Sequence, residues 1–203
     1  MSMYATSEGD LFSAVAGIKQ DTVARFGQLD VAANVVNMYQ RHLSLITDLD
    51  VEDIQTIIHG RVFGLFDYLK EELKAIKDGG SIVNVGGVMS KYASPGLSAY
   101  AAAKHALVGL NEVAAFGAAV RVVRVNMQFS GSIDTDTEAQ PFRIASGVEF
   151  TMPEPGVPRL LKWYAKPEEI AASITFLLDD ESQMVTEAEW CVYGGWVEGN
   201  FLQ

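Results

Sequence analysis

The chain has 203 residues, 49% of them hydrophobic, with 15 Lys and Arg against 26 Asp and Glu, a formal net charge of −11. That length and apolar content suffice for one self-supporting core and argue against a disordered chain. The acidic balance opposes a phosphate backbone, no stretch nears the ~18 uninterrupted apolar residues of a membrane span, and the single Cys191 leaves no intrachain disulfide. A cytoplasmic protein that meets a small molecule, rather than nucleic acid or membrane, is the expectation.

In chain order, Leu11, Val15, Ile18 and Phe26 fall at roughly helical spacing, and Gly27 stops that helix. Leu29 to Asn34 reads as a short strand, apolar and continuous rather than alternating. Val51 to Lys77 reads as one long helix with Ile54, Ile57, Ile58, Phe63, Phe66 and Leu69 on its apolar side, ended by Gly79–Gly80. Ser81 to Val85 is the second strand, Ser98 to Ala118 an alanine-rich helix, and Arg121 to Met127 the third strand. Ser130 to Lys166 holds four of the six prolines and little periodicity, and loops of that length usually bind or cover something. Pro167 to Leu178 opens with Pro in its first turn, and Glu187 to Tyr193 is a last strand. Strands alternating with helices predict a parallel sheet with helices on both faces, one α/β domain over 1–203 with residues 129–166 as a substrate or lid segment.

Tyr100 and Lys104 stand at i and i+4, on one face of the alanine-rich helix. An ammonium beside a phenol favours phenolate and draws its ordinary pKa of about 10 toward neutrality, where Tyr exchanges protons. The bland alternative is a Tyr packed on Ala beside a solvated Lys. With 7 Tyr and 8 Lys, chance alone supplies roughly 0.3 such spacings, so the flanking segments decide.

Those segments are Phe26–Gly27–Gln28–Leu29–Asp30–Val31, then Gly80–Ser81–Ile82–Val83–Asn84–Val85 followed by Ser98–Ala99–Tyr100–Ala101–Ala102–Ala103–Lys104. Lys166–Pro167–Glu168–Glu169–Ile170, Phe176–Leu177–Leu178 and Gly194–Gly195–Trp196 complete the set. Together they resemble the short-chain dehydrogenase/reductase superfamily over nearly all of residues 10–196, with reductases of polyketide pathways the nearest likeness. The resemblance implies a Rossmann-like parallel sheet, with Tyr100 and Lys104 as catalytic residues.

The departures from the family pattern shape the functional expectation. No Gly-x-x-x-Gly-x-Gly, the turn that seats a dinucleotide pyrophosphate on backbone N–H groups, occurs in these 203 residues, and a sheet lacking the N-terminal βαβ nucleotide-binding part is the expectation. Gly87 stands where the family has its serine, His59 where it has the asparagine of the long helix, and Asn37 where it has a glycine after the first strand here. Ser130–Gly131 replaces Pro-Gly. Loss of the serine hydroxyl removes a donor to a substrate carbonyl, typically worth about 10²–10³ in rate. Hydride transfer is therefore not expected, and neither a nicotinamide nor a metal is called for.

His59 either joins Tyr100 and Lys104 in an acid–base set or caps a helix–helix contact. Ser90, Tyr92 and Ser94 either replace the missing donor or are ordinary loop polarity. Gly87, Ser90, Tyr92, Phe129, Ser130, Phe142 and Trp163 are the candidate substrate contacts, with Phe150 and Trp190 as further lining. The expected activity is cofactor-independent isomerisation, dehydration or cyclisation of a carbonyl-bearing, polyketide-like compound. Its alternatives are a non-catalytic partner subunit and an NADPH reductase with an unusual cofactor mode. The edge of Leu29–Asn34 needs cover, from Met1 to Gly9 or another chain. A homo-oligomer through the 51–77 and 98–118 helices is expected, because these resemble the helices of the family's dimer interface.

Overall fold

The computed structural model describes residues 21–35, 43–134, 160–161 and 163–195, with the backbone of 142–143 and 149–150. Four parallel strands form the sheet: β1 (Leu29–Asn34), β2 (Ile76–Val85), β3 (Arg124–Ser130) and β6 (Glu189–Val192), in that spatial order. The short strands β4 (Phe142–Arg143) and β5 (Glu149–Phe150) pair antiparallel by themselves, inside the segment expected to be loop. The helices are α1 (Val51–Ile58), α2 (Gly64–Ala75), α3 (Ser98–Ala118) and α4 (Pro167–Leu178).

β3 is central and buried at all seven positions, the continuous burial of a parallel strand covered on both faces. Val123, Val125, Met127 and Phe129 pack there against Leu107, Ala114, Ala115 and Ala118 of α3 and Leu65 and Leu69 of α2. Alanine suits α3 twice, as the best helix former and as a side chain short enough to let helix and sheet approach. A second cluster joins Ile57 of α1 to Ala99 and Ala103.

Several expectations are corrected. The long helix runs unbroken but is not α-helical throughout: a π-helical turn over His59–Phe63 lies between α1 and α2. It ends at Ala75 rather than Lys77, where Ile76 turns extended with ψ 139° and begins β2, five residues before the strand expected at Ser81. Gly79, at φ 77°, lies inside that strand, and Gly80 lets it run close to β1, since a Cβ there would meet the Asp30 carbonyl at 2.7 Å. The third strand starts at Arg124, because Val122 sits at φ 57° after a 3₁₀ turn over Ala119–Arg121. Residues 21–26 are helical and stop at Gly27, φ 84°. Met1 to Gly9 and Asn37 lie outside the described residues. Among the described residues β1 is a sheet edge, and no helix is long and apolar enough to cross a membrane.

A chain of side-chain amides ties the elements together under the C-terminal ends of the strands. Asn34 Nδ2 donates to Asn84 Oδ1 and to Glu72 Oε2, both at 2.9 Å, and Asn84 Nδ2 donates to Asn111 Oδ1 at 3.0 Å. Burial pushes the Glu72 carboxyl up from 4.5 to about 7, against a smaller opposing pull from the Asn34 hydrogen bond. A carboxyl raised on folding contributes stability that is complete below the unfolded value and is lost as pH rises to the folded one. Stability is therefore expected to fall by up to about 3 kcal/mol between pH 4.5 and 7. Glu72→Gln keeps the acceptor and should remove that fall, read from urea unfolding at pH 5 and pH 8. An equal fall in wild type and variant would contradict the assignment.

Candidate active site

The site lies where the ends of β2 and β3 meet the first turns of α3 and the π-turn. β2 ends at Val85 and gives way to Gly86, Gly87 and a 3₁₀ turn over Val88–Ser90. Gly86 has to be glycine, since a Cβ would meet the Phe129 ring and Ser90 Oγ at 2.8 Å. Gly87 does not have to be. Its backbone is fully extended, and a Cβ would meet only the Ser130 carbonyl at 3.6 Å and Lys104 Nζ at 3.9 Å. The position held by serine in the resembling family thus faces Lys104 here with no side chain.

Tyr100 is half-buried on the first turn of α3, and Lys104, one turn on, is buried to 2% exposure with Nζ 5.8 Å from the Tyr100 ring centre. The feature that sequence reasoning missed is Arg61. The π-turn directs it inward, to 1% exposure, with its guanidinium carbon 4.2 Å above the Tyr100 ring. A π-turn inserted into an α-helix frequently marks a functional position. A signal for it existed: Ile54, Ile57, Arg61 and Leu65 share one helical stripe, and a cation there is out of place unless it serves something.

Burial first, and the Arg61 charge second, pull the Lys104 ammonium down from 10.5 to about 7. The Arg61 cation and Lys104, divided between ammonium and amine near neutral pH, stand against one phenol ring in a chain whose net charge is −11. A guanidinium over an aromatic face attracts it, and the more so when the pair is dry. A buried cation of this kind favours negative charge on an oxygen brought beside it.

The other expected contacts divide. Ser90 Oγ accepts the Gly87 N–H at 3.3 Å, and Ser130 Oγ donates to the Gly86 carbonyl at 3.4 Å, so both buttress the glycine turn. Phe129 is fully buried in the core with the Lys91 ammonium 5.3 Å from its ring centre, so it supports the turn from below. Tyr92 is half-buried, and Lys91 beside it is paired to Glu189 of β6 at 2.7 Å. Trp163 is exposed, and Trp190 leans on Phe176 of α4 with ring centres 5.4 Å apart. The Phe142 and Phe150 side chains lie outside the described residues. His59, half-buried on the π-turn, stacks on Phe63 at 4.9 Å, while Arg61 supplies the charge beside Lys104.

A dinucleotide needs a turn whose N–H groups are available to a pyrophosphate. Among the described residues the glycine pairs do not fit that need. Gly86 N–H donates to the Gln128 carbonyl at 2.8 Å and Gly87 N–H to Ser90 Oγ, which commits both donors of that turn. Gly80 is closed against Ile76 and the Asp30 carbonyl, and Gly195 lies against the Leu160 side chain.

The family described as enoyl-(acyl carrier protein) reductase matches residues 6–197. A short-chain dehydrogenase/reductase, astE, of Aspergillus oryzae is 33% identical over 177 residues, 86% of this chain and 67% of its own. The 3-oxoacyl-[acyl-carrier-protein] reductase FabG of Thermotoga maritima is 31% identical, over 89% of this chain and 71% of its own. A solved short-chain dehydrogenase/reductase from Serratia marcescens superposes with a TM-score of 0.80 at 25% identity, covering 97% of this chain and 75% of the other.

Proposed function

The chain belongs to the short-chain dehydrogenase/reductase superfamily, and from that premise we propose that it moves protons on a carbonyl compound without a nicotinamide. The observation that carries this reading is Tyr100 held under Arg61 at 4.2 Å with Lys104 beside it, while among the described residues the Gly86 and Gly87 N–H groups are committed to Gln128 and Ser90. Tyr100 takes the proton α to the carbonyl and returns it at another carbon, or delivers it to a departing hydroxyl. Arg61 and Lys104 hold the enolate charge that develops between the two steps. Isomerisation, dehydration and ring closure all run on such a set, and the polyketide likeness of the sequence supports a polyketide-like substrate. The test is exchange of α-protons in deuterated water, followed by NMR over a panel of ketones and β-dicarbonyls, with no nicotinamide added. Tyr100-dependent exchange supports the reading. Exchange no faster than buffer across the panel would count against it.

A second reading, a nicotinamide-dependent reductase, is favoured by the names of the relatives, which are dehydrogenases and reductases. In either case we propose a homo-oligomer. Phe63 and Phe66, on the π-turn and α2, and Val113, Phe116 and Val120, on α3 and just beyond it, are exposed large apolar residues on the helices that the sequence singled out. Exposed large apolar residues on these helices fit an association surface. Light scattering after size exclusion should give at least a dimer, and a well-behaved monomer would contradict this.

A further inference from the structure

We propose that Lys104 acts as an amine nucleophile, forming a carbinolamine and then an iminium with an aldehyde or ketone, with Tyr100 relaying the protons. The proposal rests on the reading above only in taking a carbonyl compound as the substrate. Its own ground is the surroundings of Nζ. Lys104 is 2% exposed, and among the described residues no carboxylate or other acceptor meets it. The charged and titratable groups recorded against it are the Arg61 guanidinium, brought by the π-turn, and Tyr100, one turn earlier on α3. From the strand ends, a Cβ at Gly87 would stand 3.6 Å from the Ser130 carbonyl and 3.9 Å from Nζ, ordinary contact distances, so a methyl group's space is left before the nitrogen.

Burial beside a second cation shifts a lysine toward the free amine, so that both forms are present near neutral pH, and the free amine is the nucleophile. The lowered value of about 7 agrees with that arrangement. A lysine kept only to donate hydrogen bonds as an ammonium gains nothing from a guanidinium at its side.

The steps balance with no co-reactant. The Nζ lone pair attacks the carbonyl carbon, the C=O π pair moves to oxygen, and that oxygen takes the phenol proton of Tyr100. The nitrogen then gives a proton to the phenolate. Tyr100 returns it to the carbinolamine hydroxyl, which leaves as water while the nitrogen lone pair forms C=N. Water reverses the sequence to release product.

The probe is 2,4-pentanedione with the full 203-residue chain. Its enaminone with a primary amine is read by near-ultraviolet absorbance and by a mass gain of one pentanedione less one water. The expected result is one adduct per chain, mapped by peptide mass to Lys104. It should form about a hundredfold faster at pH 7 than on surface lysines, whose free-amine fraction there is on the order of 10⁻³ to 10⁻⁴. Its rate should rise to a plateau above pH 7, and Arg61→Met should move that rise to higher pH. Lys104→Arg, which keeps a cation, should abolish the fast adduct, and if that variant does not fold, the peptide map of the wild-type chain decides by itself. Folded wild type with no adduct at Lys104, or with one no faster than at surface lysines, overturns the proposal. Tyr100-dependent proton exchange surviving that result would leave acid–base catalysis standing and remove only the covalent step. An adduct without such exchange would do the reverse.

Discussion

Tyr100→Phe is expected to lower α-proton exchange by about 10²–10⁴-fold, the range that a positioned acid or base contributes. The substitution is narrow in its effect. The phenyl ring keeps the face that lies under the Arg61 guanidinium at 4.2 Å, and the ring is only half-buried, so packing and the cation–π contact survive. What goes is one hydroxyl. The melting temperature should therefore stay within about 2 °C of wild type, a change below roughly 1 kcal/mol for a chain of this size. Exchange unaltered in a folded Tyr100→Phe chain would mean that another group carries the proton.

The largest loss of stability is expected at Arg124, far from the chemistry. Its side chain is buried at the head of β3. Nη1 donates to the Leu177 carbonyl at 2.7 Å and to Ser182 Oγ at 2.8 Å, and Nη2 to the Asp179 carbonyl at 2.9 Å. These acceptors are the end of α4 and the turn beyond it, and Ser81 of β2 donates to the same Leu177 carbonyl at 2.9 Å. Arg124→Ala strands several buried acceptors and opens space at once. A loss of about 3 kcal/mol or more follows, or roughly 6–12 °C in melting temperature. Arg124→Lys, with fewer and differently aimed donors, should recover only part of it. A change under about 1 kcal/mol in Arg124→Ala would show that water takes over these carbonyls.

The order of elements was legible in the sequence because each strand is a short apolar run between helices with clear stops, and the tertiary fold leaves those signals uncontested. The boundary at Ala75 and Ile76 was not legible. Ile76 extends the apolar helical pattern equally well, and only its pairing with Leu29 across the sheet makes it strand. The π-turn was hidden for a related reason: a single inserted residue shifts the stripe without breaking it, so 51–77 reads as one helix. Arg61 stands out as a cation in that stripe, but its role depends on which way the turn points it. Tyr100 and Lys104 were legible because a four-residue spacing on a helix fixes their shared face. Phe129 was not legible as core, since an aromatic residue near the end of a strand looks the same whether it lines a cavity or fills the space beneath a glycine turn.

Calorimetric titration of the 203-residue chain with NADPH and with NADH bears most directly on proton transfer without a nicotinamide. The prediction is no binding by a folded chain, because the donors of the Gly86–Gly87 turn are already committed to Gln128 and Ser90. Micromolar binding of either nucleotide would contradict it and make the chain a reductase that anchors its cofactor on another surface.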